Sequence, residues 1–193
     1  MELLNDFSTS VRKAFSEIYP AWESLDGLVI CGTHAPKDIE ETLTKIMTYR
    51  LENRPILGIC AGLQMLAIEF TRNEIGLRGA GSEEWYENDI FTVELKEFEK
   101  VVKKLPELRV GTRSVAWQID GATLESHWHN YAVAGWVAVR MSERGYKTVL
   151  TDGVLEYAHR GIIVGVQFHP EYQSSKDAPH PLLVEFINIC KTR

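Results

Sequence analysis

The stretch 55–64, PILGICAGLQ, is the part of this chain whose residue types and spacing could do chemistry most directly. An apolar run leads into Gly58-Ile59-Cys60-Ala61-Gly62 and a helical pattern begins at once. That is the spacing of a nucleophile elbow with cysteine in place of serine. Small residues at 58 and 62 are needed because strand and helix approach closely at such a turn. At a helix N-terminus, backbone N–H groups and the helix dipole favour a thiolate. The N–H of Ala61 would point to where an oxyanion develops. The competing reading is an inert core thiol at a strand end, the commoner fate of a lone cysteine.

A second group lies near the other end. Residues 162–168, IIVGVQF, read as a buried strand delivering His169-Pro170-Glu171. A thiolate nucleophile needs a base and acid to carry the leaving group's proton, and that base needs a partner to fix its tautomer. His169 and Glu171, two apart at a strand end, project to the same side and supply both. The plain alternative is a capped strand with a surface carboxylate. Two further groups are weaker. Glu84 sits in GSEEWYEND, which also reads as a solvated acidic loop. His127-Trp128-His129 also reads as an ordinary strand with alternating packed and exposed side chains. An H-x-H pair without further ligands at defined spacing does not make a metal site, so neither metal nor cofactor is expected.

The elements that must position these residues follow from hydrophobic patterning. A first helix is expected from Ser8 or Ser10 to Ile18, a buried strand at 25–31, a helix at 38–50 and a second buried strand at 55–59. A helix at 62–70 follows. Near-continuous apolar strands alternating with helices predict a parallel α/β sheet covered on both faces. The second half predicts strands at 89–95, 115–119, 136–141 and 154–168, a short amphipathic helix at 97–105 and a closing helix at 181–190. The expected fold is one three-layer α/β domain over residues 1–193, with a mostly parallel central sheet and an antiparallel flap or insertion in the second half.

Composition bounds the function classes. The chain has 193 residues and a net charge of −6, which argues against a sequence-independent grip on nucleic acid or on an anionic membrane. No apolar run approaches the ~18 residues of a membrane span, and no basic, apolar leader is expected at the start. Three widely spaced cysteines, Cys31, Cys60 and Cys190, make no CxxC pair, so a reducing, cytoplasmic setting is expected.

GICAGLQ and VGVQFHPE together resemble the two signatures of class I, triad-type glutamine amidotransferase domains. QFHPEYQSSKDAPHPLL, LRVGTRSV and SHWHNYAV make the glutaminase domain of the CTP synthases the nearest likeness within that family. The resemblance runs from about Asp26 to the C-terminus. It implies a Cys60–His169–Glu171 triad and hydrolysis of the L-glutamine side-chain amide to glutamate and ammonia. It also implies an oxyanion site made by the Ala61 N–H and the Gly32–Thr33 turn, and glutamine contacts from Gln64 and Glu84, the latter to the α-amino group. Three departures stand out. Thr33 falls where the family has a glycine, which is costly for a β-branched residue if φ must be positive. Trp128 falls where the CTP synthase motif has an arginine that helps bind glutamine; an indole there supplies stacking and one N–H in place of a guanidinium. Third, the chain opens almost directly on its first helix, so the expected sheet lacks an N-terminal edge strand or borrows one. No Walker A motif occurs, so the resemblance implies a separate ATP-dependent synthetase as the user of the ammonia. Two other readings remain open: a γ-glutamyl amide hydrolase acting on a conjugate, and a catalytically silent regulatory domain.

Overall fold

The computed structural model describes residues 1–5, 8–86, 100–118 and 121–193. The expected strand at 89–95 and the start of the expected helix at 97–105 lie outside the described residues. In chain order the main elements are β1 (Glu2–Leu4), α1 (Ser8–Ile18), β2 (Leu28–Ile30), α2 (Ile39–Leu51), β3 (Ile56–Ile59), α3 (Ala61–Asn73), β4 (Gly81–Ser82) and α4 (Glu83–Tyr86). Then follow β5 (Lys100–Gln118), β6 (Gly121–Val133), α5 (Gly135–Glu143), β7 (Lys147–Thr151), β8 (Val154–Arg160), β9 (Ile163–Val166) and α6 (Pro181–Lys191).

Six strands form the central sheet in the order β1-β2-β3-β9-β8-β7. β1, β2, β3 and β9 run parallel, while β8 and β7 are antiparallel additions at one edge. LVI, ILGI and IVGV are buried at every position, as strands covered on both faces must be. One face carries α2, α3 and α5 over a core of Leu43, Ile46, Leu63, Phe70, Val137 and Met141. The other carries α1 and α6, whose Phe15, Leu183 and Phe186 pack with Val29, Leu57 and Phe168. This is the expected three-layer, mostly parallel α/β fold.

Four expectations are corrected. The sheet has its N-terminal edge: β1 pairs with β2 in parallel, and Lys45 Nζ holds Glu2 at 2.7 Å. Three residues are too few to give a periodic signal. Residues 136–141 are helical, not a strand. Val137, Ala138 and Met141 make one buried helical face, and Gly145, at φ 84°, follows the C-cap as helix ends favour. From Lys100 the expected amphipathic helix is instead the start of β5, pairing Lys103 with Ala132 and Lys104 with Tyr131; tertiary pairing overrides local propensity. The single strand at 154–168 is two, β8 and β9, turned at Gly161.

β5 and β6 form a long antiparallel hairpin, joined by β4 into a second, three-stranded sheet. Val115 and Trp117 from this hairpin enter the core on the α1/α6 side. The hairpin is the expected antiparallel insertion, and it reaches the end of β9.

Candidate active site

Cys60 lies between β3 and α3 with φ 54° and ψ −107°, a conformation that non-glycine residues rarely adopt. Its N–H donates to the Val166 carbonyl at 2.7 Å and its carbonyl accepts from Gln64 N–H at 3.3 Å, so sheet and helix both hold the kink. The helix can sit this close only because glycines line the contact. A Cβ on Gly62 would run into the Ile30 carbonyl, one on Gly58 would lie 2.6 Å from the Gly62 carbonyl carbon, and one on Gly165 would lie 2.7 Å from Leu63 Cδ1. The small residues demanded at 58 and 62 are therefore required by backbone contact.

The other two residues of the expected triad meet Cys60. His169 Nδ1 lies 2.7 Å from Glu171 Oε1, and the His169 ring also hydrogen-bonds the Cys60 side chain. With Glu171 on Nδ1, Nε2 is the nitrogen left for the sulfur. Burial works against a charged imidazole, but Cys60 and Glu171 outweigh it and lift the His169 pKa to about 10. Both side chains are buried, and Tyr172 stacks over the His169 ring at 4.9 Å. Cys31 and Cys190 are buried thiols whose pKa burial drives upward, that of Cys190 to about 12.

The hairpin is stitched to this end of β9. His169 N–H donates to the Ser126 carbonyl at 2.8 Å. Gln173 accepts from Ser126 N–H at 3.2 Å and donates to the Leu124 carbonyl at 2.7 Å. Beneath the outer residues, His127 and His129 point inward. His127 Nδ1 is 3.2 Å from His129 Nε2, and His129 Nδ1 is 2.9 Å from the Tyr131 carbonyl. Burial pushes their pKa values down to about 4 and about 3, so both are neutral at pH 7. Arg109 of β5 reaches Glu156 of β8 at 2.8 Å inside the same region.

The remaining expected site residues divide into two groups. Gln64 is buried on the first turn of α3 and donates to the Tyr131 carbonyl at 3.0 Å. Its Oε1 is buried with no partner among the described residues. Gly32 and Thr33 are buried after β2. Thr33 does not have a positive φ, and its Oγ1 accepts from Ala35 N–H at 3.1 Å, so the β-branched residue sits in the turn without that backbone strain. Next to it His34 links the other two: His34 Nδ1 is 3.9 Å from Glu84 Oε1, and its ring meets Trp128 edge-on at 5.8 Å. Glu84 is not a solvated loop residue; burial raises its pKa to about 7. Trp128 is 48% exposed, opposite Val110 on the outer face of the hairpin. His34, Gln167 and Tyr172 were not expected at the site. The motif QFHPE contains Gln167, so a signal for it was present. Among the described residues, no three His, Cys, Asp or Glu side chains converge to hold a metal ion.

A cysteine at an α/β elbow, facing a histidine oriented by a carboxylate, has the arrangement of a cysteine-nucleophile triad. Comparison with known proteins narrows it. The family "Glutamine amidotransferase class-I" matches residues 6–189. CTP synthase of Thermotoga maritima is 32% identical over 189 residues, covering 87% of this chain and 36% of that protein. CTP synthase of Thermosipho africanus is 34% identical over 183 residues, covering 83% and 34%. The glutaminase domain of Trypanosoma brucei CTPS, solved with bound acivicin, superposes with a TM-score of 0.80 at 18% identity, covering 99% of this chain and 92% of that one. The chain belongs to the class I glutamine amidotransferase family. It spans about a third of the length of the CTP synthases it matches. Among the described residues, no helix is long and apolar enough to cross a membrane.

Proposed function

We propose that this chain is a glutaminase: it hydrolyses the side-chain amide of L-glutamine and supplies the ammonia to a separate ATP-dependent synthetase, in a reducing compartment such as the cytoplasm. The observation that carries this reading is Cys60 held at φ 54° against a His169–Glu171 pair 2.7 Å apart. The Cys60 sulfur attacks the carboxamide carbon, and the N–H groups of Ala61 and the Gly32–Thr33 turn stabilise the oxyanion. His169 gives its proton to the departing nitrogen, so ammonia leaves and a γ-glutamyl thioester remains on Cys60. His169, now neutral, takes a proton from water, whose oxygen attacks the thioester carbon; glutamate leaves and the sulfur is restored. Glu171 keeps the imidazole oriented and supports its charge. Gln64 and Glu84 hold the glutamine, Glu84 at the α-ammonium. The direct test is release of glutamate and ammonia from glutamine in equal amounts by the purified chain, with Cys60→Ala as control. Cys60-dependent release is expected; release that survives the substitution overturns the mechanism.

Trp128 supports a second reading. An indole beside His34 and Glu84 offers no cation for an α-carboxylate, which suits a γ-glutamyl amide whose recognition lies elsewhere on the molecule. Comparing glutamine with γ-glutamyl-amine substrates separates the two. A wide preference for glutamine removes the conjugate reading.

A further inference from the structure

Resting on the amidase reading, we propose that Gln167 is a working part of the nucleophile: its side-chain amide donates to Cys60 Sγ, and a buried chain of hydrogen bonds holds that amide with its N–H toward the sulfur. Gln167 follows β9, two residues before His169, and is fully buried. Its Nε2 lies 3.6 Å from Cys60 Sγ, within range for a sulfur acceptor, and its Oε1 lies 3.5 Å from Gln64 Nε2.

The orientation of this amide is dictated from outside. The Tyr131 carbonyl can only accept, so the Gln64 atom facing it at 3.0 Å must be the NH2 group. That group then meets the oxygen of Gln167, which leaves the Gln167 NH2 for the sulfur. The same carbonyl fixes the histidines. His129 Nδ1, at 2.9 Å, must carry a proton to donate to it. A neutral His129 then accepts at Nε2 from a protonated His127 Nδ1, 3.2 Å away. One backbone carbonyl thus sets the direction of every bond from His127 to Cys60. Gln167 N–H is also held, donating to the Glu156 carbonyl at 3.0 Å.

A donor aimed at a sulfur stabilises the thiolate relative to the thiol. His169 supplies a donor that leaves with its proton during the reaction, whereas an amide N–H stays in place through both halves. It therefore favours the thiolate both before attack and as leaving group when the thioester is hydrolysed. The arrangement also ties the nucleophile to the substrate contact. Both NH2 hydrogens of Gln64 are engaged, which leaves its buried Oε1 without a partner among the described residues.

The test is the rate of Cys60 alkylation by iodoacetamide at pH 7 in the intact chain, read by peptide mass spectrometry with the buried Cys31 and Cys190 as internal references. Gln167→Met keeps the length and volume and removes the donor. It is expected to slow Cys60 alkylation about tenfold, the scale of one hydrogen bond to a charged group, and to lower kcat for glutamine similarly while changing KM less than about twofold. Alkylation within twofold of the parent overturns the proposal, as does a rise in KM with kcat unchanged. Should Gln167→Met fail to fold, the side-chain amide signals of Gln167 in the parent protein decide: a shift on alkylating Cys60 supports the proposal and an unmoved signal overturns it. Failure of the amidase reading looks different, because Cys60 of the parent would then be alkylated no faster than Cys31.

Discussion

The two halves of the site are built by opposite means. On the side of β3, α3 and β9, packing is close: Gly58, Gly62 and Gly165 let the helix lie on the sheet, and Cys60 sits between them at a positive φ. On the side of β5, β6 and β8, positioning is done by buried polar groups: Arg109 on Glu156, His127 on His129, Trp117 and His180 on Glu125. Close packing of small residues tolerates no added atom but is indifferent to pH. A buried polar network tolerates some change of shape but fails when a partner is removed or a proton is added. The site thus combines a rigid Cys60 elbow with a wall whose stability depends on charge.

The largest effect is expected on the packed side. Gly62→Ala puts a methyl group into the Ile30 carbonyl, and neither α3 nor β2 can move away without breaking the sheet. A loss of more than about 3 kcal/mol, or failure to fold, is expected in urea denaturation. A loss under about 1 kcal/mol would mean the helix is not seated as described.

Arg109→Met should come next, for a different reason and most strongly at alkaline pH. It leaves Glu156 buried without its cation, a change that costs about 3–5 kcal/mol only where the carboxylate has to stay charged. Burial already raises the Glu156 pKa to about 7 with Arg109 present. The variant's deficit should therefore shrink at pH 5.5, where a protonated Glu156 needs no cation, and grow by pH 8. A pH-independent deficit would assign the loss to packing alone.

Acid should act on the parent protein through the paired histidines. Their folded pKa values, about 4 and about 3, lie below the unfolded value of ~6.5. The unfolded chain therefore binds protons first. The histidines' contribution is fully present above pH ~6.5 and falls as pH drops toward 4, by on the order of a few kcal/mol, while Glu84 and Glu156, raised to about 7, bind protons first in the folded chain and offset it. Urea midpoints of the parent and of His129→Gln at pH 7, 6 and 5 isolate it: the parent should lose stability relative to the variant as pH falls, and a constant difference would contradict it.

The smallest effect belongs to the rim. Trp128→Arg restores a cation opposite Val110 without disturbing the core, and should lower KM for glutamine about three- to tenfold with little change in stability. An unchanged KM would place the α-carboxylate elsewhere.

The same contrast explains how much could be read from sequence. The packed half was legible because its constraints are local: G-x-C-x-G marks an elbow within five residues, and apolar runs mark buried strands. Cys60, His169 and Glu171 were found this way and come together in the structure. The polar half was illegible because its partners are far apart in sequence. Arg109 meets Glu156 across 47 residues, and His180 meets Glu125 across 55. Strand alternation already set His127 and His129 opposite Trp128, but nothing local showed which partners the two buried histidines would meet. Lys100–Lys104 gave a helical pattern that pairing with β6 overrode, and Glu2–Leu4 was too short to register.

The central claim is that Cys60, alone of three cysteines, is the nucleophile for a glutamine side chain. A chloroketone analogue of glutamine, incubated with the intact chain and mapped by peptide mass spectrometry, tests it most directly. The account predicts one label per chain, on Cys60, competed by glutamine and abolished in Cys60→Ser. Label on Cys31 or Cys190, or labelling of Cys60 that glutamine does not slow, would contradict it.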